Sequence, residues 1–273
     1  MKKTSSYKAF MSSPHNSLKH TTYFDSYDHF FGNYRNKKII FVEIGVLDGG
    51  SLFMWREYFG DKARIIGVDL NPQAKKWEKE GFEIYIGNQS DQVFWKEFIN
   101  EVGEIDIVLD DGGHTYSQQI ITSESLLPFI KDGGVMVIED THTSYLEGFG
   151  DVHFSFIEYV KEHVDKINMR FAPFNKKKAE QRFWSIEVVE SMVAFKINKA
   201  ATMLKSEQIF NIRPTISSKD FRAEDKNAII PVDEFFAKKK RNLTITLDQL
   251  EEILQRIKLE QPLAAKKLKQ LLD

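Results

Sequence analysis

The chain has 273 residues, 42% of them hydrophobic, enough for one large domain or one domain with an appendage. Lys and Arg number 38 against 40 Asp and Glu, a net charge of −2, which gives no long-range pull toward nucleic acid or an anionic membrane. Cysteine is absent, which excludes disulfides, thiolate catalysis and thiolate zinc sites.

The first seventeen residues contain Lys2 and Lys3 with no apolar run behind them, so no secretory signal is expected. No apolar run reaches membrane-spanning length, and a cytoplasmic protein without membrane insertion is expected. From about Ile39 to Ile138 short apolar runs alternate with amphipathic segments. The runs are KIIFVEIG, ARIIGVDL, FEIYIGN, IDIVLDD and GVMVIED, ending at Gly45, Leu70, Asn88, Asp111 and Asp140. Four of the five are near-continuously apolar, as strands buried on both faces of a parallel sheet are. Between them SLFMWREYFG runs from Ser51 to Gly60 and DQVFWKEFINEVG from Asp91 to Gly103. Each has a helix-start residue in front and a glycine stop behind. Ser51 and Asp91 are the expected caps.

After Asp140 the alternation changes. HFSFIEYVKEHVDKI predicts a helix, and RFWSIEVVESMVAFKIN predicts two strands joined at Glu190-Ser191. So tight a connection forces antiparallel pairing. The fold class expected is α/β: a doubly wound, mostly parallel seven-stranded sheet closed by an antiparallel hairpin strand. The division expected is 1–36, a leading helical segment; 37–199, the sheet domain; and 200–273, a C-terminal extension. In that extension Leu247, Leu250, Ile253, Leu254 and Ile257 keep helical spacing until Pro262. The result is an amphipathic helix that packs on the domain or on a second copy. The lysine runs 176–178 and 238–240 are expected to be solvated surface.

The candidate site lies at the carboxyl ends of the strands, which a parallel sheet places on one edge. Gly45 marks a tight turn after the first strand. Asp69, at the tip of the second, can accept both hydrogen bonds of a ribose diol. Asn88, Gln89 and Ser90 follow the third and can edge a base. Glycine does not recur two residues after Gly45, so no pyrophosphate cradle is expected. A ligand with a ribose and a base but no phosphate cradle matches S-adenosylmethionine. The fourth and fifth strands end in Asp110-Asp111 and Glu139-Asp140. Carboxylates this close repel one another. A divalent cation held by oxygen ligands, Mg²⁺, Mn²⁺ or Ca²⁺, relieves them; helix capping by some of these acids is the alternative. His114, three residues past Asp111, can take a proton from an alcohol, and His142 is its substitute on the same rim.

FVEIGVLDGGSL, GVDLNP, LDDGGHTYSQQ and GGVMVIEDTHTSYLEGFG together resemble the metal-dependent sugar O-methyltransferases of macrolide biosynthesis and the related cephalosporin-hydroxylase-like proteins. The resemblance covers roughly Leu18 to Lys199. It implies Mg²⁺ (or Mn²⁺) on Asp111 and Asp140 with Glu139 close by, and His114 as general base. It implies S-adenosylmethionine held by Glu43, Gly45, Asp69 and the Asn88–Ser90 turn, and Ser51 and Asp110 are counted with these. His20, Tyr23 and Tyr27, in a segment that helps to cover the cleft, join His142 and Tyr145 as candidates facing the acceptor. The reaction implied is O-methylation of a sugar hydroxyl on a glycan, sugar nucleotide or secondary metabolite, with no nucleic-acid partner. A metal-dependent hydroxylase and a non-catalytic cofactor-binding protein are the other readings.

Overall fold

The computed structural model describes residues 4–150, 154–171, 179–207 and 209–212. The chain divides into two compact units, Met1–Glu207 and Gln208–Asp273. The expected C-terminal helix and both lysine runs lie outside the described residues. No described helix is long and apolar enough to cross a membrane.

Seven strands form one sheet: β1 (Ile40–Ile44), β2 (Arg64–Asp69), β3 (Glu83–Ile86), β4 (Ile105–Asp110), β5 (Ile130–Ile138), β6 (Ser185–Val189) and β7 (Met192–Lys196). Their order is β3-β2-β1-β4-β5-β7-β6. The pairs among β1 to β5 are parallel, while β7 runs antiparallel to both β5 and β6. The expected hairpin is present, turning through Ser191 at φ 60°.

The near-continuous apolar runs follow from burial on both faces, since successive side chains point to opposite sides. Phe41, Ile65, Ile107, Leu109, Val135 and Val137 face one core. Val42, Ile44, Ile66, Val68, Val108, Met136 and Ile138 face the other. Helices α1 (Ser5–Ser12), α2 (Tyr23–Phe31) and α3 (Gly50–Phe59) cover the first face; Tyr27, Phe31, Trp55 and Phe59 stack against Phe41 and its neighbours. Helices α4 (Gln92–Val102), α5 (Tyr116–Leu126) and α6 (Phe156–Asn168) cover the second through Trp95, Phe98, Leu126 and Phe156. A short α7 spans Lys199–Met203. The N-terminal helices therefore share the core of the sheet.

Local signals act mostly as expected. Asp91 caps α4, accepting from Val93 N, and Gly103 ends that helix. Thr115 and Gln118 form a reciprocal capping box at α5. Ser51 does not cap α3. The helix begins one residue earlier with Gly49 as its N-cap, and Ser51 Oγ donates to the buried Glu43 at 2.7 Å.

The sheet order reverses between β1 and β4, and there the two strand tips cross at very close range. Gly45 has φ +90°, and a Cβ at this position would lie 2.1 Å from the Asp111 carbonyl oxygen. Gly45→Ala is therefore expected to force the two turns apart and to destabilise the fold by about 2–4 kcal/mol, combining the conformational penalty with the clash. Chemical denaturation measures this, and stability within about 0.5 kcal/mol of wild type, the range of an ordinary surface change, would show that the turns do not meet.

Candidate active site

A cleft of about 490 Å³ opens at the strand tips. Its walls come from β1 (Ile44, Gly45), β2 (Val68, Asp69), the turn after β3 (Asn88, Gln89), the segment after β4 (Asp111–His114), the tip of β5 (Glu139, Asp140) and the connection between α1 and α2 (Leu18, Lys19, His20). That connection, residues 13–22, is a strap anchored by Ser13 Oγ, which donates to Gly50 O at 2.8 Å.

On the β1–β3 side the Asp69 carboxylate organises two turns. Its Oδ2 accepts from the backbone N–H groups of Val46 (2.8 Å) and Leu47 (3.1 Å), and its Oδ1 from that of Asn71 (2.7 Å). Carboxylate oxygens can accept further bonds, so the ribose role and the turn role are compatible. Gln89 donates to Asp110 Oδ1 at 3.0 Å and accepts from Gly113 N–H at 2.8 Å, joining the turn after β3 to the one after β4. Asp110 itself is buried, and desolvation raises its pKa to about 7 against the pull of Gln89 and the Gly112 N–H. Glu43 and Ser51 do not line the cleft; Glu43 lies in the interior, accepting from Ser51 and from Trp55 Nε1 at 2.9 Å. Ser90 and Asp110 also stand outside the cleft lining.

On the β4–β5 side Asp111, His114 and Asp140 present ligand atoms that lie within 4.8 Å of one another. His114 Nε2 is 3.4 Å from Asp140 Oδ2. The turn that brings the imidazole here is not made by glycine conformation. His114 itself is left-handed at φ 57°, as is Asp140 at φ 54°, a geometry that costs a non-glycine residue free energy and is found where a site demands it. Gly112 and Gly113 serve close packing instead: a Cβ on either would overlap the Gln89 or Gln118 side-chain amide. His20 and His142 flank Asp140, each with a ring nitrogen 3.9 Å from Oδ1. His142 Nδ1 also pairs with Ser191 Oγ at 2.5 Å. Tyr145 is exposed and away from the cleft lining.

Lys19 is the residue that sequence reasoning missed. Its side chain is only 1% exposed, and Nζ lies 2.5 Å from Asp111 Oδ2 and 3.2 Å from Glu139 Oε2. Burial opposes its charge, but Asp111, Glu139 and Glu43 outweigh that and hold its pKa above the ordinary value. Tyr27 OH donates to Glu139 Oε1 at 2.5 Å, and Tyr23 OH donates to Asp140 Oδ1. Burial drives the Glu139 pKa well up; Lys19 works against this and Asp111 adds to it. Tyr23 and Tyr27, four apart, share one face of α2, while Lys19 lies on the strap before that helix, where no periodic pattern marks it out.

The donor set fits a divalent ion: two carboxylates and an imidazole converge, partly exposed, in a cleft whose other wall is built for a polar ligand. Among the described residues this cluster contains one histidine, against the two of the iron site that the hydroxylase reading requires.

Residues 42–141 match the model of a family described as "Methyltransferase domain". Over that stretch the chain is similar to a methyltransferase domain. Among its curated relatives is an 8-demethyl-8-(2-methoxy-alpha-L-rhamnosyl)-tetracenomycin-C 3'-O-methyltransferase of Streptomyces olivaceus, 36% identical over 45% of this chain and 33% of the relative. A mycinamicin VI 2''-O-methyltransferase of Micromonospora griseorubida is also 36% identical, over 45% of this chain and 32% of its own length. The chain thus covers about a third of these relatives. Among solved structures, the methyltransferase MycE of the mycinamycin biosynthetic pathway, in complex with Mg and SAH, superimposes with a TM-score of 0.62 at 25% identity. That match covers 76% of this chain and 55% of MycE. The match of 42–141 runs from within β1 to just past Asp140.

The buried Glu43 generates a pH dependence of stability. Desolvation raises its carboxyl to about 7, against the opposing pulls of Lys19 and the Trp55 N–H. Its folded pKa therefore exceeds its unfolded one, the native state binds the extra proton, and stability falls as pH rises from about 4.5 to about 7. Glu43→Gln is expected to flatten that fall by roughly 2 kcal/mol. Urea denaturation of both proteins at pH 5 and pH 8 measures it; identical pH profiles would mean that Glu43 titrates normally.

Proposed function

We infer that the chain is an S-adenosylmethionine-dependent O-methyltransferase that uses Mg²⁺ or Mn²⁺ and acts on a sugar hydroxyl of a glycan, sugar nucleotide or secondary metabolite. One observation carries the reading: the Asp111–His114–Asp140 cluster opens into the same cleft as Gly45 and Asp69. A class I methyltransferase domain with that pairing has a place for a nucleoside and a place to activate an alcohol. The sugar acceptor is supported by the relatives named as O-methyltransferases of a rhamnosyl-tetracenomycin and of mycinamicin VI, and the cation by the Mg and SAH of MycE.

The chain's own residues divide the work. The carboxyl edge of β1 to β3 binds the nucleoside, with the Gly45 turn giving close backbone approach and Asp69 facing the ribose. His114 accepts the acceptor hydroxyl proton at a ring nitrogen as the oxygen attacks the methyl carbon; the C–S bond breaks and the thioether leaves. Asp140 stabilises the imidazolium that results. The strap at Leu18–His20 covers the cleft and keeps water from the reacting oxygen. S-adenosylmethionine supplies the methyl group, and a divalent ion held by Asp111 and Asp140 would lower the pKa of the acceptor alcohol and fix its position. Glu43 and Ser51 have no part in this scheme beyond holding α3 against β1.

S-adenosylhomocysteine at about a hundredfold excess over its Kd is expected to stabilise the protein by about 2.7 kcal/mol. Asp69→Asn should reduce that stabilisation. A thermal shift with NAD and none with S-adenosylhomocysteine would refute the nucleoside assignment.

With an acceptor identified by screening sugar nucleotides and glycans against labelled S-adenosylmethionine, His114→Ala should slow turnover by about 10²–10⁴-fold, the range of general-base catalysis. EDTA should abolish transfer, and Mg²⁺ or Mn²⁺ restore it. Full activity in EDTA, or an unimpaired His114→Ala enzyme, would leave the cluster a structural one.

A further inference from the structure

The turn that delivers His114 is held largely by side chains. The Asp111 N–H donates to Ile44 O at 2.9 Å, that of Gly112 to Asp110 Oδ1 at 3.1 Å and that of Thr115 to Gln118 Oε1 at 3.1 Å. Those acceptors lie in β1 or within the segment and its own helix. The Gly113 N–H instead reaches across to the turn after β3, donating to Gln89 Oε1 at 2.8 Å. The other end of that amide is engaged as well. Gln89 Nε2 donates to Asp110, 3.0 Å from Oδ1 and 3.2 Å from Oδ2, and lies 3.3 Å from Thr122 Oγ1. Gln89 is only 7% exposed, and a Cβ on Gly112 would lie 2.0 Å from its Oε1. The amide therefore fills the space behind the turn.

We propose that Gln89 is a positioning residue for His114: it pins the Gly112–Gly113 backbone to the turn after β3 and so sets the imidazole, rather than hydrogen-bonding the adenine of the cofactor. The inference rests on the methyltransferase reading of the cleft, with His114 accepting the proton. It departs from the direct cofactor contact expected of this side chain from the sequence.

The chemistry of the position asks for an amide. A carboxylate stands on one side and a backbone N–H on the other, so the side chain between them must donate in one direction and accept in the other. Glutamate would turn an acceptor toward Asp110, and two buried carboxylates side by side repel. Methionine would fill a similar volume and make neither bond. The two protons on Nε2 have two acceptors in reach, Asp110 and Thr122, which leaves no donor for a ligand. The lever arm to the imidazole is short. His114 follows Gly113 directly and is left-handed at φ 57°, a conformation that the surroundings must hold. Gln89 fixes the chain just before it, and Thr143 Oγ1, 2.9 Å from the His114 carbonyl, fixes it just after. Misplacing a reacting group by about 1 Å can cost about 10²-fold in rate, so a side chain that touches no substrate still acts on turnover.

Calorimetric titration with S-adenosylhomocysteine and heteronuclear NMR of the histidine rings, both on the full chain, test this without an acceptor. The His114 ring signal is assigned by its loss in His114→Ala. Gln89→Met should leave the Kd of S-adenosylhomocysteine within about threefold of wild type, whereas losing a direct contact to the adenine would cost about tenfold. In the same complex the His114 signal should shift or broaden, while that of His163, buried in α6 away from the cleft, stays in place. On an acceptor found by screening, kcat should fall by about 10–100-fold with the KM for S-adenosylmethionine little changed. Gln89→Glu should show the same pattern, and it serves alone if the methionine variant does not fold. Weakening of S-adenosylhomocysteine by about tenfold or more would make Gln89 a cofactor ligand and overturn the proposal. Wild-type binding with an unmoved His114 signal would refute the Gln89 role and leave the methyltransferase reading standing. A wild-type protein that binds no S-adenosylhomocysteine would end that reading and the positioning role with it.

Discussion

The site depends on an ammonium buried between two carboxylates. Parallel strands bring the ends of β4 and β5 side by side, and this sequence places an acid pair at each. Leaving water costs each carboxylate far more than an isolated polar group, unless a charge or hydrogen-bond donor meets it. Lys19, Tyr23 and Tyr27 supply those partners from one stretch of chain: the lysine for Asp111 and Glu139, one tyrosine for Asp140 and the other for Glu139. Burial keeps both phenols protonated, with raised pKa values, so they remain donors at any physiological pH. Helix α2, which carries the two tyrosines, packs Phe24, Phe30 and Phe31 into the core. Hydrophobic burial therefore fixes the donors, and the donors make the acid cluster tolerable.

The acid cluster also carries local strain. Asp140 and His114 both adopt the left-handed conformation, and the surroundings hold them there. Thr143 Oγ1 lies 2.9 Å from the backbone carbonyl of His114 and 2.9 Å from that of Asp140, and its one proton is shared between them. One buried threonine thus joins the two turns that carry the imidazole and the carboxylate. Preorganisation of this kind fixes the imidazole and the carboxylate relative to one another.

Much of this was legible in the sequence. Five apolar runs that each stop at polar residues indicate parallel strands and mark the working edge of the sheet. The hairpin at Glu190-Ser191 indicates the antiparallel finish. Asp91 and Gly103 punctuate α4 as helix-start and helix-stop residues should. Asp69, His114, Asp111 and Asp140 could be singled out because their positions follow directly from strand ends. The rest depends on contacts between segments far apart in sequence. Ser51 looks like a helix cap until Glu43 is seen beneath it. Gly112-Gly113 looks like the flexible turn until the positive φ is found one residue later. Above all, repulsion among four acids called for a cation without saying where it comes from. A bound ion and a lysine ninety residues upstream satisfy the same electrostatic requirement, and only the fold distinguishes them.

The family match begins at residue 42, whereas the donors that neutralise the acidic edge lie before residue 28. The stretch recognisable by descent is thus smaller than the stretch that folds. A fragment trimmed to the recognisable part would keep every strand-tip acid and lose Lys19, Tyr23 and Tyr27, together with the aromatic wall that covers Trp55. It would expose an apolar face and strand a cluster of like charges at once, a combination that favours aggregation over a working miniature. Grafting this catalytic edge onto another scaffold of the same sheet order would meet the same obstacle. The portable unit is the sheet together with its N-terminal segment.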